Sequence, residues 1–174
     1  DRSTYTKKEP MKVLKGHTFG VYSLWYIKEK NVLISGGLSQ DDLHIWNLDT
    51  YQCVNVFAEV QGYSHNSLYQ LDEERIVAGG SGEFYIININ KLTIEEKVDL
   101  KEFDVHSLSA FMKLRDGNLL CGTSIGNFIL YNMKTKKVIN ISTSHVSMVT
   151  DIKRIDDHSF YTASCDLKFR LWKY

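Results

Sequence analysis

Proline is almost missing: Pro10 stands alone among 174 residues. That excludes a proline-rich linker or a polyproline recognition segment. Cysteine is scarce too, with Cys53, Cys121 and Cys165 far apart and no Cys-x-x-Cys pair. Zinc modules and dithiol redox motifs need that pairing, so neither is expected. Each cysteine falls in or beside a strand-like stretch, which reads as a reduced structural thiol of the cytoplasm or nucleus. Net charge is absent, 21 basic residues against 21 acidic. No overall field therefore draws nucleic acid or an anionic membrane. No apolar run approaches the roughly 20 residues of a membrane-spanning helix. Asp1 to Pro10 lacks the apolar centre of a signal peptide and reads as a linker or N-terminal extension. Long helical periodicity is also lacking.

Short runs rich in Val, Ile, Tyr and Phe fill the chain instead, separated by turn residues. Trp46-Asn47, Ile87-Asn88, Tyr131-Asn132 and Trp172-Lys173 each close one alternating run. Their first members lie 41, 44 and 41 residues apart, and a period near forty is the mark of a repeat array. Unit one reads as strands Val21 to Ile27, Val32 to Ser35, Leu43 to Leu48 and Cys53 to Phe57. The same order recurs in units two and three. Unit four lacks a fourth strand, and Met11 to Lys15 reads as a lone leading strand. The fold class is all-β: small sheets of four antiparallel strands joined by tight turns. The units span about 18–58, 63–99, 105–142 and 146–174, the last completed by 11–15. A leading strand that pairs with the final unit would remove an unpaired edge.

These residues resemble the WD-repeat family of β-propellers. Its pattern is Gly-His before the first strand, Ser or Thr in the second, Asp in the next turn, and Trp-Asp closing the third. Unit four carries Ser144-His145, Thr162, Asp166 and Trp172; unit one carries Gly16-His17, Ser35 and Trp46. The resemblance spans Met11 to Tyr174. It implies a buried relay of Trp172, Thr162, His145 and Asp166 in one unit. In the other it implies Trp46, Ser35, His17 and Asp41, with Asp41 one residue out of register beside Gln40. Donor-only indole, two-way hydroxyl and imidazole, and acceptor carboxylate can satisfy one another in that order. Units two and three place Ser64 and Asp104 at the histidine, Ala78 and Cys121 at the hydroxyl, and Ile87 and Tyr131 at the tryptophan. The expectation is that they rely on apolar packing and are softer.

Catalytic readings find little footing. Asp156-Asp157-His158 sits where a first-to-second-strand turn is due, and turn chemistry accounts for it. Gly79-Gly80-Ser81-Gly82 has neither the lysine nor the following helix of a phosphate-binding loop. No cofactor or metal is expected. The resemblance implies a non-catalytic protein-interaction scaffold binding other proteins, with no nucleic acid and no membrane span. Alternatives are a module reading a modified peptide or phosphoinositide, a ubiquitin-ligase substrate receptor, or a kinase regulatory domain. The candidate partner face comprises Phe19, Tyr63, Phe103 and Met148 from segments entering first strands. Gln40, Ser124 and Cys165 join it from turns after second strands.

Rings of this family mostly hold about seven blades, and roughly 290 residues would be needed for them. Four units therefore suggest part of a larger propeller, a ring completed by a second copy, or closure through Met11 to Lys15. The absence of an initial Met favours the first as an expectation.

Overall fold

The computed structural model describes residues 9–37, 42–60 and 67–173. Blade 1 holds Val21–Ile27 (β1), Val32–Gly37 (β2), Leu43–Asn47 (β3) and Gln52–Phe57 (β4). Blade 2 holds Leu68–Gln70 (β5), Arg75–Gly79 (β6), Glu83–Asn88 (β7) and Thr93–Asp99 (β8). Blade 3 holds Leu108–Lys113 (β9), Leu119–Thr123 (β10), Asn127–Asn132 (β11) and Lys137–Thr143 (β12). Blade 4 holds Val149–Arg154 (β13), Ser159–Ser164 (β14) and Phe169–Lys173 (β15). Every sheet is antiparallel with strands in chain order, making a four-bladed propeller. No helix among the described residues is long and apolar enough to cross a membrane.

The recurring asparagines explain why each third strand ends where it does. Asn47 Oδ1 accepts from the backbone N–H groups of Asp49 and Thr50, both at 2.9 Å. Asn88 does the same for Asn90 and Lys91 at 3.0 Å, and Asn132 for Lys134 and Thr135 at 3.0 and 2.8 Å. A side-chain acceptor two and three residues upstream turns the chain. The turn then passes through a left-handed residue, Tyr51, Leu92 or Lys136 (φ 57°, 53° and 57°). The register slips by one residue just before each of the anchors Trp46, Ile87 and Tyr131. Such a bulge strengthens the local twist.

Alternation gives each blade a forward face toward the next blade and a back face toward the one before. Residues three and one before the anchor point forward, and the anchor points back. Ile34, Leu43 and Ile45 thus meet Leu68, Ile76, Tyr85 and Ile87 between blades 1 and 2. Val77, Phe84 and Ile86 meet Phe111, Leu119, Ile129 and Tyr131 between blades 2 and 3. Met112, Leu120 and Phe128 meet Ile152, Phe160 and Trp172 between blades 3 and 4. Each fully buried side chain contributes about 1.5–3 kcal/mol. Among the described residues no buried cluster joins blade 4 to blade 1.

The expected strand at Met11 to Lys15 does not form. The segment runs along blade 1 instead. Lys12 Nζ sits 5.5 Å above the Tyr51 ring, and Gly16 packs against the edges of Trp46 and His44. Glycine is needed there, since an added Cβ would meet the Trp46 ring at 2.9 Å. Blade 4 accordingly keeps three strands.

Candidate functional site: the relay-supported rim

In blade 4 the relay is complete. Trp172 Nε1 donates to Thr162 Oγ1 at 2.8 Å, and Thr162 Oγ1 lies 2.7 Å from His145 Nε2. The hydroxyl hydrogen is then free to go to Nε2, which leaves the ring proton on Nδ1 for Asp166 Oδ2 at 2.9 Å. Both side chains of that pair are buried, His145 at 0% and Asp166 at 1% exposure. Burial alone would raise the Asp166 pKa. Arg170, donating at 2.8 Å, and His145 outweigh it and hold the carboxyl well below its usual range. Arg170 Nη1 also abuts His145 Nδ1. Asp166 further accepts from the Val146 backbone N–H at 3.4 Å, which fixes the segment entering β13.

Blade 1 carries three of the expected members. Trp46 Nε1 donates to Ser35 Oγ at 2.7 Å, and His17 Nε2 lies 2.6 Å from the same oxygen. Asp41 lies outside the described residues. A further histidine takes part: His44 stacks on His17 with ring centroids 4.0 Å apart and on Trp46 at 5.4 Å. His44 is one position off the alternation of Leu43 and Ile45 and aligns with the relay face.

Blades 2 and 3 lack the relay, as their residues require, but apolar packing is not their whole support. Tyr85 donates to the Glu59 carbonyl at 2.7 Å and contacts the Glu83 carboxylate, which pairs with Lys97 Nζ at 3.0 Å. Tyr131, the blade 3 anchor, reaches back to Glu96 of blade 2, and Lys136 pairs with that carboxylate at 3.1 Å. Burial first, then the adjacent carboxylate, pushes the pKa of both phenols upward. Tyrosine–glutamate–lysine sets replace the relay.

Entering segments and second-to-third-strand turns meet on one rim. Ser124 N–H donates to the Ser107 carbonyl at 3.0 Å, and Cys165 N–H to the Met148 carbonyl at 2.9 Å. Across blades, the Gly126 carbonyl accepts from Ser144 N–H at 3.1 Å, Ser144 Oγ at 2.6 Å and His145 N–H at 2.9 Å. Of the residues expected on this face, Phe19 and Cys165 are exposed, and Ser124 and Met148 are half-buried. Phe103 is half-buried as well; it ends a short 3₁₀ turn and packs partly onto the core between blades 2 and 3. Gln40 and Tyr63 lie outside the described residues.

The same rim presents three apolar residues that strand patterning does not reveal. Ile125 is exposed, Val146 is 82% exposed and Leu167 is 96% exposed. Asp166 ties them together, bonding to Val146 and preceding Leu167, while Gly126, next to Ile125, holds His145. Leu167 also has φ +65°. The equivalent turn residues, each five before its anchor, are Gly82 (φ +72°) and Gly126 (φ +90°). Glycine adopts that conformation without cost; a leucine does not.

No protein-family model matches the chain. A WD repeat-containing protein 55 homolog from Dictyostelium discoideum is 20% identical over 147 residues, which cover 83% of this chain and 35% of that protein. The chain thus spans about a third of that relative's length. The computationally designed Ika4 protein superposes with a TM-score of 0.72 at 17% identity, covering 95% of this chain and 98% of Ika4. The designed Ika8 protein gives 0.72 at 17% identity, covering 92% of this chain and 48% of Ika8. The WD40 propeller domain of Doa1 gives 0.74 at 10% identity, covering 91% and 52% of the two chains. The blade order, the relay and these likenesses agree: the chain is a four-bladed β-propeller similar to WD-repeat proteins.

Proposed function

We propose that this chain is a non-catalytic scaffold that binds other proteins through the rim holding Ile125, Val146 and Leu167. One observation carries the reading: Leu167 is almost fully exposed in a left-handed backbone conformation. Neither burial nor backbone ease favours leucine there, so a contact made outside the chain is its physical rationale. Val146 and Ile125 extend the patch, and the relay holds it rigid, which lowers the ordering cost of binding. Apolar anchors of this kind suit an apolar side chain on a protein partner.

Two side chains able to do chemistry, His145 and Cys121, are taken up by the fold. Both ring nitrogens of His145 have partners within the relay. Burial pushes the Cys121 thiol far above its usual range, which removes its thiolate. Three free cysteines fit a reducing compartment, so we place the protein in the cytoplasm or nucleus.

A ligand-reading role has one observation behind it. Residues of all four innermost strands, among them Trp25, Tyr69, Lys153 and Arg154, line a central cavity of about 280 Å³. Its cations are already engaged, however: Lys153 pairs with Asp151 at 3.5 Å, and Arg154 bonds to the Lys113 carbonyl. The rim reading is therefore preferred.

The test is affinity capture with the Val146→Asp, Leu167→Asp double variant beside the unaltered protein. Loss of specific partners, with an unchanged melting transition, is expected. An unchanged partner set would exclude this rim as the working surface.

A further inference from the structure

We propose that the rim at blades 3 and 4 takes a segment of a partner protein that carries a basic side chain close to an apolar one. The basic group meets Glu102 and Asp104, and the apolar one meets Ile125 and Val146. The proposal rests on the rim reading above and adds the chemistry of the partner. It starts from the segment entering β9. There Phe103 and Val105 turn inward onto the core between blades 2 and 3. Glu102, Asp104 and His106 alternate with them and are exposed. The Asp104 side chain is 90% exposed.

Those acids are held in place but not used up. Lys101 N–H donates to Asp99 Oδ1 at 2.9 Å, and Ser81 Oγ donates to the His106 carbonyl at 3.3 Å. Asp104 closes the 3₁₀ turn at φ +56°, a conformation that aspartate adopts more readily than most side chains. The nearby ammonium of Lys101 lies 3.9 Å from Glu83 and 3.9 Å from Asp99. Among the described residues Glu102 makes no ion pair, and Asp104 reaches only the exposed His106 ring, at 3.8 Å.

The acids run directly into the apolar patch. The Ser107 carbonyl accepts from Ser124 N–H, and Ile125 comes next. The Gly126 carbonyl then holds Ser144 and His145, and Val146 follows them. The order along the rim is therefore Glu102 and Asp104, then Ile125, then Val146. All four border the junctions of blade 3 with blades 2 and 4, whose packing is described on both sides. Beyond them the sign reverses: Lys168 follows Leu167, is exposed, and makes no ion pair among the described residues.

A basic side chain is thus drawn to the blade 3 end of the patch and repelled from the blade 4 end, which sets the direction in which the segment lies. An acidic segment in that direction meets like charge at both ends. Exposed ion pairs are individually weak, so the carboxylates select the partner and speed its encounter. Ile125 and Val146 supply the contact itself.

A random-peptide library displayed on phage and selected on the purified chain tests the proposal. Enriched peptides are expected to carry Lys or Arg close to an apolar residue. In fluorescence anisotropy such a peptide should bind about tenfold more tightly than the same peptide with its cation replaced by Glu. The Glu102→Lys, Asp104→Lys double variant should invert that order with an unchanged melting transition. Added salt should narrow the difference in the unaltered chain. Val146→Asp should weaken both peptides. Peptides that need Val146 but ignore the reversal at Glu102 and Asp104 would overturn this inference and leave the rim reading standing. Peptides indifferent to Val146→Asp would overturn the rim reading as well. A selection that enriches nothing, or enriches acidic peptides, would overturn the inference too.

Discussion

Thr162 is the residue on which the blade 4 relay turns, because its hydroxyl serves Trp172 and His145 together. Thr162→Val keeps the shape and removes the hydroxyl, leaving a buried indole N–H and imidazole nitrogen unsatisfied. Each such loss costs about 1–3 kcal/mol, so denaturant titration should show a drop of at least that size. Asp166 adds a pH dependence whose sign follows from its lowered pKa. The unfolded carboxyl titrates near the ordinary 3.8 and the folded one below it. The stabilisation is complete above that ordinary value and is lost as pH falls through the folded value. Asp166→Asn should flatten the melting temperature against pH below 4, with the wild type losing the steeper amount. A flat wild-type profile in that window would show that the carboxyl is not held ionised by Arg170 and His145. Gly126 gives the sharpest expectation. An added Cβ would lie 2.3 Å from the His145 carbonyl, at φ +90°. Gly126→Ala should therefore destabilise far more than Gly117→Ala, where nothing lies within 4 Å and φ is also positive at +87°. Comparing the two isolates the clash from the backbone conformation.

At the scale of elements, the third-to-fourth-strand hairpins were half legible in the sequence. The anchors and their period placed the strands, but period-two alternation alone did not single out the buried face, since Val54, Val56 and Ile139 alternate as well and are 43–50% exposed. What the asparagines do was not visible from pattern, because an acceptor bonding two and three residues ahead leaves no periodic trace. Asn88→Ala should cost roughly 1 kcal/mol through the loss of two backbone partners, measured by thermal melting. The tyrosine–glutamate–lysine sets were hidden for another reason. Tyr131 and Glu96 are 35 residues apart in different blades, and only the packing of those blades brings them together. Their presence argues against the expectation that blades 2 and 3 are soft. Among the described residues both faces of those blades are covered, whereas the outer faces of blades 1 and 4 carry the exposed Leu24, Phe169 and Leu171. Hydrogen exchange should be slower in β6 and β10 than in β1 and β15, and an exchange order with blade 1 slowest would contradict this reading.

For the whole molecule, the period near forty was the strongest signal, and it led correctly to a four-bladed all-β propeller. The leading strand at Met11 to Lys15 was misread because strand alternation fits it as well as any other segment. Which edge a strand joins is a tertiary choice, and Tyr51 and Trp46 of blade 1 hold this segment instead. The relay of blade 4 was readable residue by residue through the resemblance to WD repeats, and each member's hydrogen-bonding capacity suits its place. The exposed rim at Leu167 was not, because its meaning depends on a backbone angle that the sequence does not state.

The hairpin asparagines bear on how the molecule meets its surroundings. An amide acceptor carries no charge, so Asn47, Asn88 and Asn132 hold their turns alike in acid and in brine. Each bend is set by its own asparagine and the two backbone amides that follow it. It is a portable part: a third-and-fourth-strand pair could be exchanged between blades 1, 2 and 3 with its bend intact, provided the anchor matches the face it must cover.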